Sequence, residues 1–99
     1  MTDFTLPMTF SERGFVYTQL ARHGMLALYR QEPLTAVFAR YEVVRLHIAQ
    51  EHTWPNGQVS PAHEAYPSAR VWGRDGWTFF TEPEAQRHFE RLLTREGNL

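Results

Sequence analysis

The residues in this chain that could do chemistry are its five histidines, eleven acids and a few hydroxyls. His52 and His63, flanked by Glu51 and Glu64, could bring two imidazoles and a carboxylate together across one loop. The spacing that holds a zinc ion is missing, because there is no H-E-x-x-H run and no histidine pair four apart on a helix. These two are expected as surface loop residues, and His47 and His88 as half-buried structural ones. Ser11, Ser60 and Ser68 lack the G-x-S-x-G setting of an activated serine, and only Asp3 and Asp75 could orient a base. No Gly-rich phosphate loop is present. The reading is therefore non-enzymatic, with no catalytic residue, no metal ligand and no cofactor.

What stands out is HEAYPSARVWGRDGWTFFT, residues 63–81, which holds five of the fourteen aromatic residues. Rings of this size each bury about 150–250 Å², so most must belong to the core of so short a chain. Alternation puts Trp77 and Phe79 on one strand face, against the helix, and Thr78 and Phe80 on the other. Tyr66, Arg70, Trp72 and Arg74 lie on the irregular approach, where a rigid scaffold presents side chains for recognition. Trp, Tyr and Arg are also the types that dominate interface energy. These four are the expected partner-binding residues, and the alternative for Tyr66 and Trp72, as for Trp54, is a core or loop-pinning role. Glu64, Pro67, Gly73, Gly76, Trp77 and Phe89 are expected to be structural, with both glycines supplying positive φ to the turn before Trp77.

The elements that must carry this stretch are legible in part. Residues 1–13 lack a period and read as a flexible N-terminal arm, and 14–99 as a single domain. GFVYTQL (14–20) and GMLALYR (24–30) form a hairpin turning near Gly24. AVFARYEVVRLHIAQ (36–50) alternates Val44, Leu46 and Ile48 with Arg45 and His47, while Tyr41 and Val43 fall on the opposite face. Both faces are then partly covered, or a bulge switches the phase. Residues 51–68 form a long connection with a small hairpin between Trp54 and Val59. Thr81 and Glu84 make a capping box, and Ala85, Phe89, Leu92 and Leu93 give one apolar stripe of a helix starting at 82 and ending at Gly97. The order implies an α+β fold, a small antiparallel β-sheet of about four strands covered on one face by the C-terminal helix.

Composition narrows the partners. The net charge of −1 argues against nonspecific nucleic-acid binding, which usually shows a basic domain. All ten basic residues are arginine, a bias expected of a GC-rich genome. With no cysteine, disulfides and thiol chemistry are excluded. MTDFTLPMTFSERG has neither a basic nor an apolar leader region, and no apolar run reaches the roughly 20 residues that cross a bilayer. A cytoplasmic setting without membrane contact is expected.

PAHEAYPSARVWGRDGWTFF resembles a pattern of small proteins from phages, prophages and other bacterial mobile elements. That pattern runs approximately P-A-x-E-x-Y-P-S-x-x-x-W-G-x-x-G-W-T, followed by a short helix with Ala and Phe four apart. It falls here on Pro61, Ala62, Glu64, Tyr66, Pro67, Ser68, Trp72, Gly73, Gly76, Trp77 and Thr78, with Ala85 and Phe89 behind. YEVVRL (41–46) and LALYRQ (26–31) extend it upstream. The resemblance implies a setting and no activity, that of an accessory protein of a mobile element. A neutral charge and an aromatic loop surface in that setting suit the binding of a bacterial host or defence protein that is modulated or inhibited. Trp72-Gly73-Arg74-Asp75-Gly76 is also similar to the W-G-R-x-G signature of WGR domains, which contact DNA ends. Only about eight residues separate this signature from the helix, where WGR domains place an extra strand and loop. That second resemblance implies a nucleic-acid binder using Arg70, Arg74 and exposed aromatics. A homomeric structural protein, joined through an exposed edge strand, is the third alternative.

Overall fold

β-Branched and aromatic runs separated by glycine turns build a meander in the computed structural model, which describes residues 6, 8–35 and 37–96. The strands are β1 (Thr9–Glu12), β2 (Phe15–His23), β3 (Leu26–Pro33), β4 (Arg40–Arg45), β5 (His47–Ala49), β6 (His52–Thr53), β7 (Val59–Ser60), β8 (His63–Ala65) and β9 (Gly76–Phe79). Helix α1 (Glu82–Arg95) closes the chain's described part. β1, β2, β3, β4 and β9 form one antiparallel sheet in that order, and β5–β8 and β6–β7 are two small ribbons. The α+β class is thus correct, with five strands in the main sheet. Among the described residues no helix is long and apolar enough to cross a membrane.

The expected hairpins form. β2 and β3 join through Gly24-Met25, with Gly24 at φ 61° and His23 opposite Leu26. β6 and β7 pair around Asn56-Gly57, with Thr53 opposite Val59. The expected arm differs: residues 9–12 are β1, joined to β2 by Arg13-Gly14, both at positive φ. The signal was hidden because Arg13 occupies a left-handed position usually filled by Gly or Asn. Residues 1–5 and the expected helix end at Gly97 lie outside the described residues.

The sheet is buried on both faces. Leu26 and Leu28 of β3 and Val43 of β4 meet Ala85, Phe89, Leu92 and Leu93 of α1, the stripe read from the sequence. Trp77, Phe79 and Tyr41 pack around them, as their alternation predicts. The opposite face carries Tyr17, Ala27, Tyr29, Val44 and Leu46, covered by Phe10, Phe15, Met25, Tyr66 and Trp72. Val44 and Leu46 therefore point away from α1, and Ile48 begins a separate ribbon where it is exposed. In β2 a bulge between Gln19 and Ala21 changes the parity. Phe15, Tyr17 and Gln19 precede it on the helix-free face, whereas Leu20 and Ala21 pack toward α1. The capping box is also altered. The Thr81 hydroxyl donates to Glu84 Oε1 at 2.7 Å and makes no bond to a backbone N–H.

Candidate functional site

The helix-free face is unusually polar for a buried surface. β2 contributes Tyr17, β3 Gln31, β4 Glu42 and β9 Thr78: Tyr17 is opposite Gln31 and Glu42 opposite Thr78, while Gln31 faces Arg40, two residues from Glu42. Gln31 Nε2 donates to the Tyr17 hydroxyl at 2.9 Å, and Gln19 Nε2 donates to the Tyr29 hydroxyl at the same distance. Tyr66 is held over these strands by aromatic contacts, its ring centroid 5.3 Å from Tyr17, 5.5 Å from Tyr29 and 5.9 Å from Phe10. Phe10 stacks on Tyr17 at 4.8 Å. Offset and edge-on contacts of this kind add to the burial of the rings themselves.

Glu42 lies beneath this cluster and is 7% exposed. Its Oε1 accepts from the Tyr66 hydroxyl at 2.6 Å and its Oε2 from the Thr78 hydroxyl at 3.3 Å. Among the described residues it makes no ion pair. Burial pushes its carboxyl above the usual range, opposed by the two hydroxyl donors and by the charge of Arg40. Burial, reinforced by Glu42, also raises the Tyr66 phenol far above its ordinary value. A buried acid that forms no ion pair opposes folding, which makes Glu42 a candidate functional residue.

Above Glu42 opens a pocket of about 480 Å³. Phe15, Tyr17, Tyr66 and Trp72 supply its rings, Gln31, Thr78 and Ser68 its neutral polar groups, and Glu12 and Arg13 part of its lining. Trp72 Nε1 donates to the Thr78 hydroxyl at 2.9 Å, linking the indole to the Glu42 network. The indole is placed by a tight return of the chain. Gly73 turns at φ 92° and its N–H donates to the Gly76 carbonyl at 2.7 Å. Gly76 itself is not at positive φ, contrary to expectation. It is glycine because a Cβ there would collide with the Trp72 ring, lying only 2.8 Å from Cη2.

The structure separates the four residues expected to form one surface. Tyr66 and Trp72 both line the pocket and are partly buried, not freely displayed on a loop. Arg70 is exposed on the 3₁₀ turn Ala69–Val71. Arg74 is exposed beside a second depression, with Nε 3.2 Å from Asp75. There Arg45 bonds the Arg74 carbonyl and Asp75 and pairs with Glu96, so two arginines face two acids. Glu64 takes a bidentate bond from Arg22, at 2.6 and 2.5 Å, and accepts the Leu6 N–H. Pro67 is buried between the two depressions, which it lines in common. Among the described residues no three His, Asp or Glu side chains gather as a metal-holding group.

The sequence reading passed over Glu42, Tyr17 and Gln31, and placed Thr78 on the strand face away from the helix without a role. A signal was available for Glu42, whose parity with Val44 and Leu46 puts it on the same face as an apolar pair. Tyr17 and Gln31 come together only through the pairing register.

The pocket opens at the end of the sheet where apolar side chains are uncovered. Leu34, Val37, Phe38 and Phe80 are 63, 105, 53 and 76% exposed. Leu34 is held beside the β1–β2 turn by its N–H bond to the Gly14 carbonyl. The Arg40 guanidinium lies 5.7 Å from the ring centres of both Phe15 and Phe38, joining the pocket to this patch. Comparison with known proteins found no matching family model, no matching curated sequence and no matching solved structure.

Proposed function

We propose that this protein is a non-enzymatic binding module that captures a protein partner at the pocket-bearing end of its sheet. The observation that carries this reading is the exposure of Leu34, Val37, Phe38 and Phe80, which flank the end of β3, the start of β4 and the end of β9 at one end of the sheet. Large apolar side chains left uncovered together at one end of a domain mark an interaction site more often than singly scattered ones. Their combination with aromatic rings and arginine matches the composition of interface cores. The resemblance of residues 61–78 to mobile-element proteins supports an accessory role in a bacterial cytoplasm, with a host or defence component as the partner that is modulated or inhibited.

The nucleic-acid alternative has less support. Arg22, Arg30, Arg45 and Arg74 are each paired with an acid, and the most exposed tryptophan, Trp54, packs against His52 rather than an arginine. Of the exposed arginines without an ion pair among the described residues, Arg87, Arg91 and Arg95 run four apart along α1, across the sheet from Trp72 and Tyr66, so the row of free charge that phosphate binding needs is not beside the pocket's aromatic rings. The homomeric alternative would use β1 or β9, the two edges of the main sheet.

The test is capture from bacterial lysate, with the tagged protein and its Phe38→Asp variant compared by quantitative mass spectrometry. A protein enriched by the wild type and depleted at least tenfold by the variant supports the reading. Equal enrichment by both, or enrichment of nuclease-sensitive material alone, contradicts it. A concentration-dependent mass in analytical ultracentrifugation, abolished by substitutions on β1 or β9, would favour the homomer.

A further inference from the structure

We infer that the Glu42 pocket receives a basic side chain, lysine or arginine, from the docked protein partner. The inference rests on the reading of this end as a protein-binding surface and names the chemistry the partner must present there. Four aromatic rings line a pocket with a buried carboxyl group whose hydrogen bonds among the described residues come from two hydroxyls. Aromatic faces attract cations through their quadrupoles, and the attraction grows as water is excluded. A carboxyl group with no ion-pair partner completes a site for one positive charge.

Glu12 and Arg13 contribute opposite charges to the lining. Arg40 is the remaining cation near Glu42, yet it forms no hydrogen bond with it and lies between Phe15 and Phe38 instead. Its Nε is buried without a hydrogen-bond partner among the described residues. Arg40 therefore sits at the rim of the pocket, over its Phe15 ring and on the Glu42 face of β4, without a hydrogen bond to the carboxyl group. The volume, about 480 Å³, lies within the range of ligand clefts and admits a single extended side chain. An aliphatic stem would lie along the rings while its charged end reached Glu42, as long basic side chains commonly do.

The test is a heteronuclear NMR titration that follows the Trp72 indole N–H and the Thr78 amide. The probes are N-acetyl-lysine methylamide, N-acetyl-arginine methylamide, their neutral counterpart N-acetyl-norleucine methylamide, and n-butylamine. The proposal expects saturable shifts with the lysine or arginine probe and at least tenfold weaker binding of norleucine. Glu42→Gln should weaken the cationic probes at least tenfold while leaving the amide spectrum dispersed. Absence of saturable shifts, equal binding of norleucine, or unaltered affinity in Glu42→Gln would overturn it. Binding of n-butylamine as tight as that of the lysine probe would overturn the assignment to a protein side chain. If these probes fail while Phe38→Asp still abolishes capture, the partner surface stands and the pocket's cation does not.

Discussion

Replacement of Tyr66 should be among the most damaging changes on the helix-free face, although its loop position suggests a dispensable contact. Its ring touches Phe10, Tyr17 and Tyr29, and its hydroxyl satisfies one oxygen of buried Glu42. Truncating a fully buried large aromatic costs about 3–5 kcal/mol. Tyr66 is partly buried, so Tyr66→Ala is expected near the lower end, about 3 kcal/mol. Tyr66→Phe keeps the ring and removes only the hydroxyl, leaving Glu42 with the longer bond from Thr78. Loss of a partner to a buried polar group costs about 1–3 kcal/mol. Urea denaturation followed by tryptophan fluorescence would read both, the midpoint falling in the order wild type, Phe, Ala. An unchanged midpoint for Tyr66→Ala would refute the packing argument. Equal effects of Phe and Ala would instead mean that the hydroxyl carries all the stabilisation and the ring none.

Gly76→Ala forces a methyl group into the Trp72 ring, and overpacking of this kind costs about 1–3 kcal/mol. The loss should largely vanish in a Trp72→Ala background, which a double-mutant cycle of thermal midpoints would measure. His88 lies 4.7 Å from Trp77 and 5.3 Å from Phe79. Burial lowers its pKa, helped by Arg91, Arg95 and Arg45. The unfolded chain therefore takes up the proton first, and stability should fall as pH drops through about 6.5 and below. Unfolding curves from pH 8 to 5 should show a shallower decline in His88→Leu, and parallel curves would exclude His88 as the cause.

The helix-facing half of the fold was legible because it follows simple periods. Ala85, Phe89, Leu92 and Leu93 repeat at helical spacing, and Trp77 and Phe79 at strand spacing, so their meeting could be read directly. The other half obeys rules that leave weaker traces. Arg13 stands where a turn usually has Gly or Asn, which concealed β1. The bulge near Leu20 exchanges the faces of β2, so no constant alternation runs along it. Gly76 is required by an indole four residues earlier, a contact that only the folded-back turn creates. The pocket was least legible because Glu42, Tyr17, Gln31 and Tyr66 become neighbours only through strand register and long-range packing. Tyr66 and Trp72 were found by residue type, and the acid they surround was not.

The proposed binding role of Glu42 requires that the residue not be kept for stability, and comparison with Glu42→Gln tests that most directly. The amide has nearly the same shape, still accepts a hydroxyl bond, and need not be neutralised on burial. A carboxyl raised in the folded state contributes stability at low pH and loses it as pH rises above about 4.3, where the unfolded chain ionises first. Chemical denaturation of both proteins at pH 7 and at pH 4 isolates this contribution, because the other groups titrate alike in each. Glu42→Gln should be at least as stable as the wild type at pH 7, with its relative advantage shrinking at pH 4. A variant clearly less stable than the wild type at pH 7 would make Glu42 a structural residue and remove the argument for the pocket.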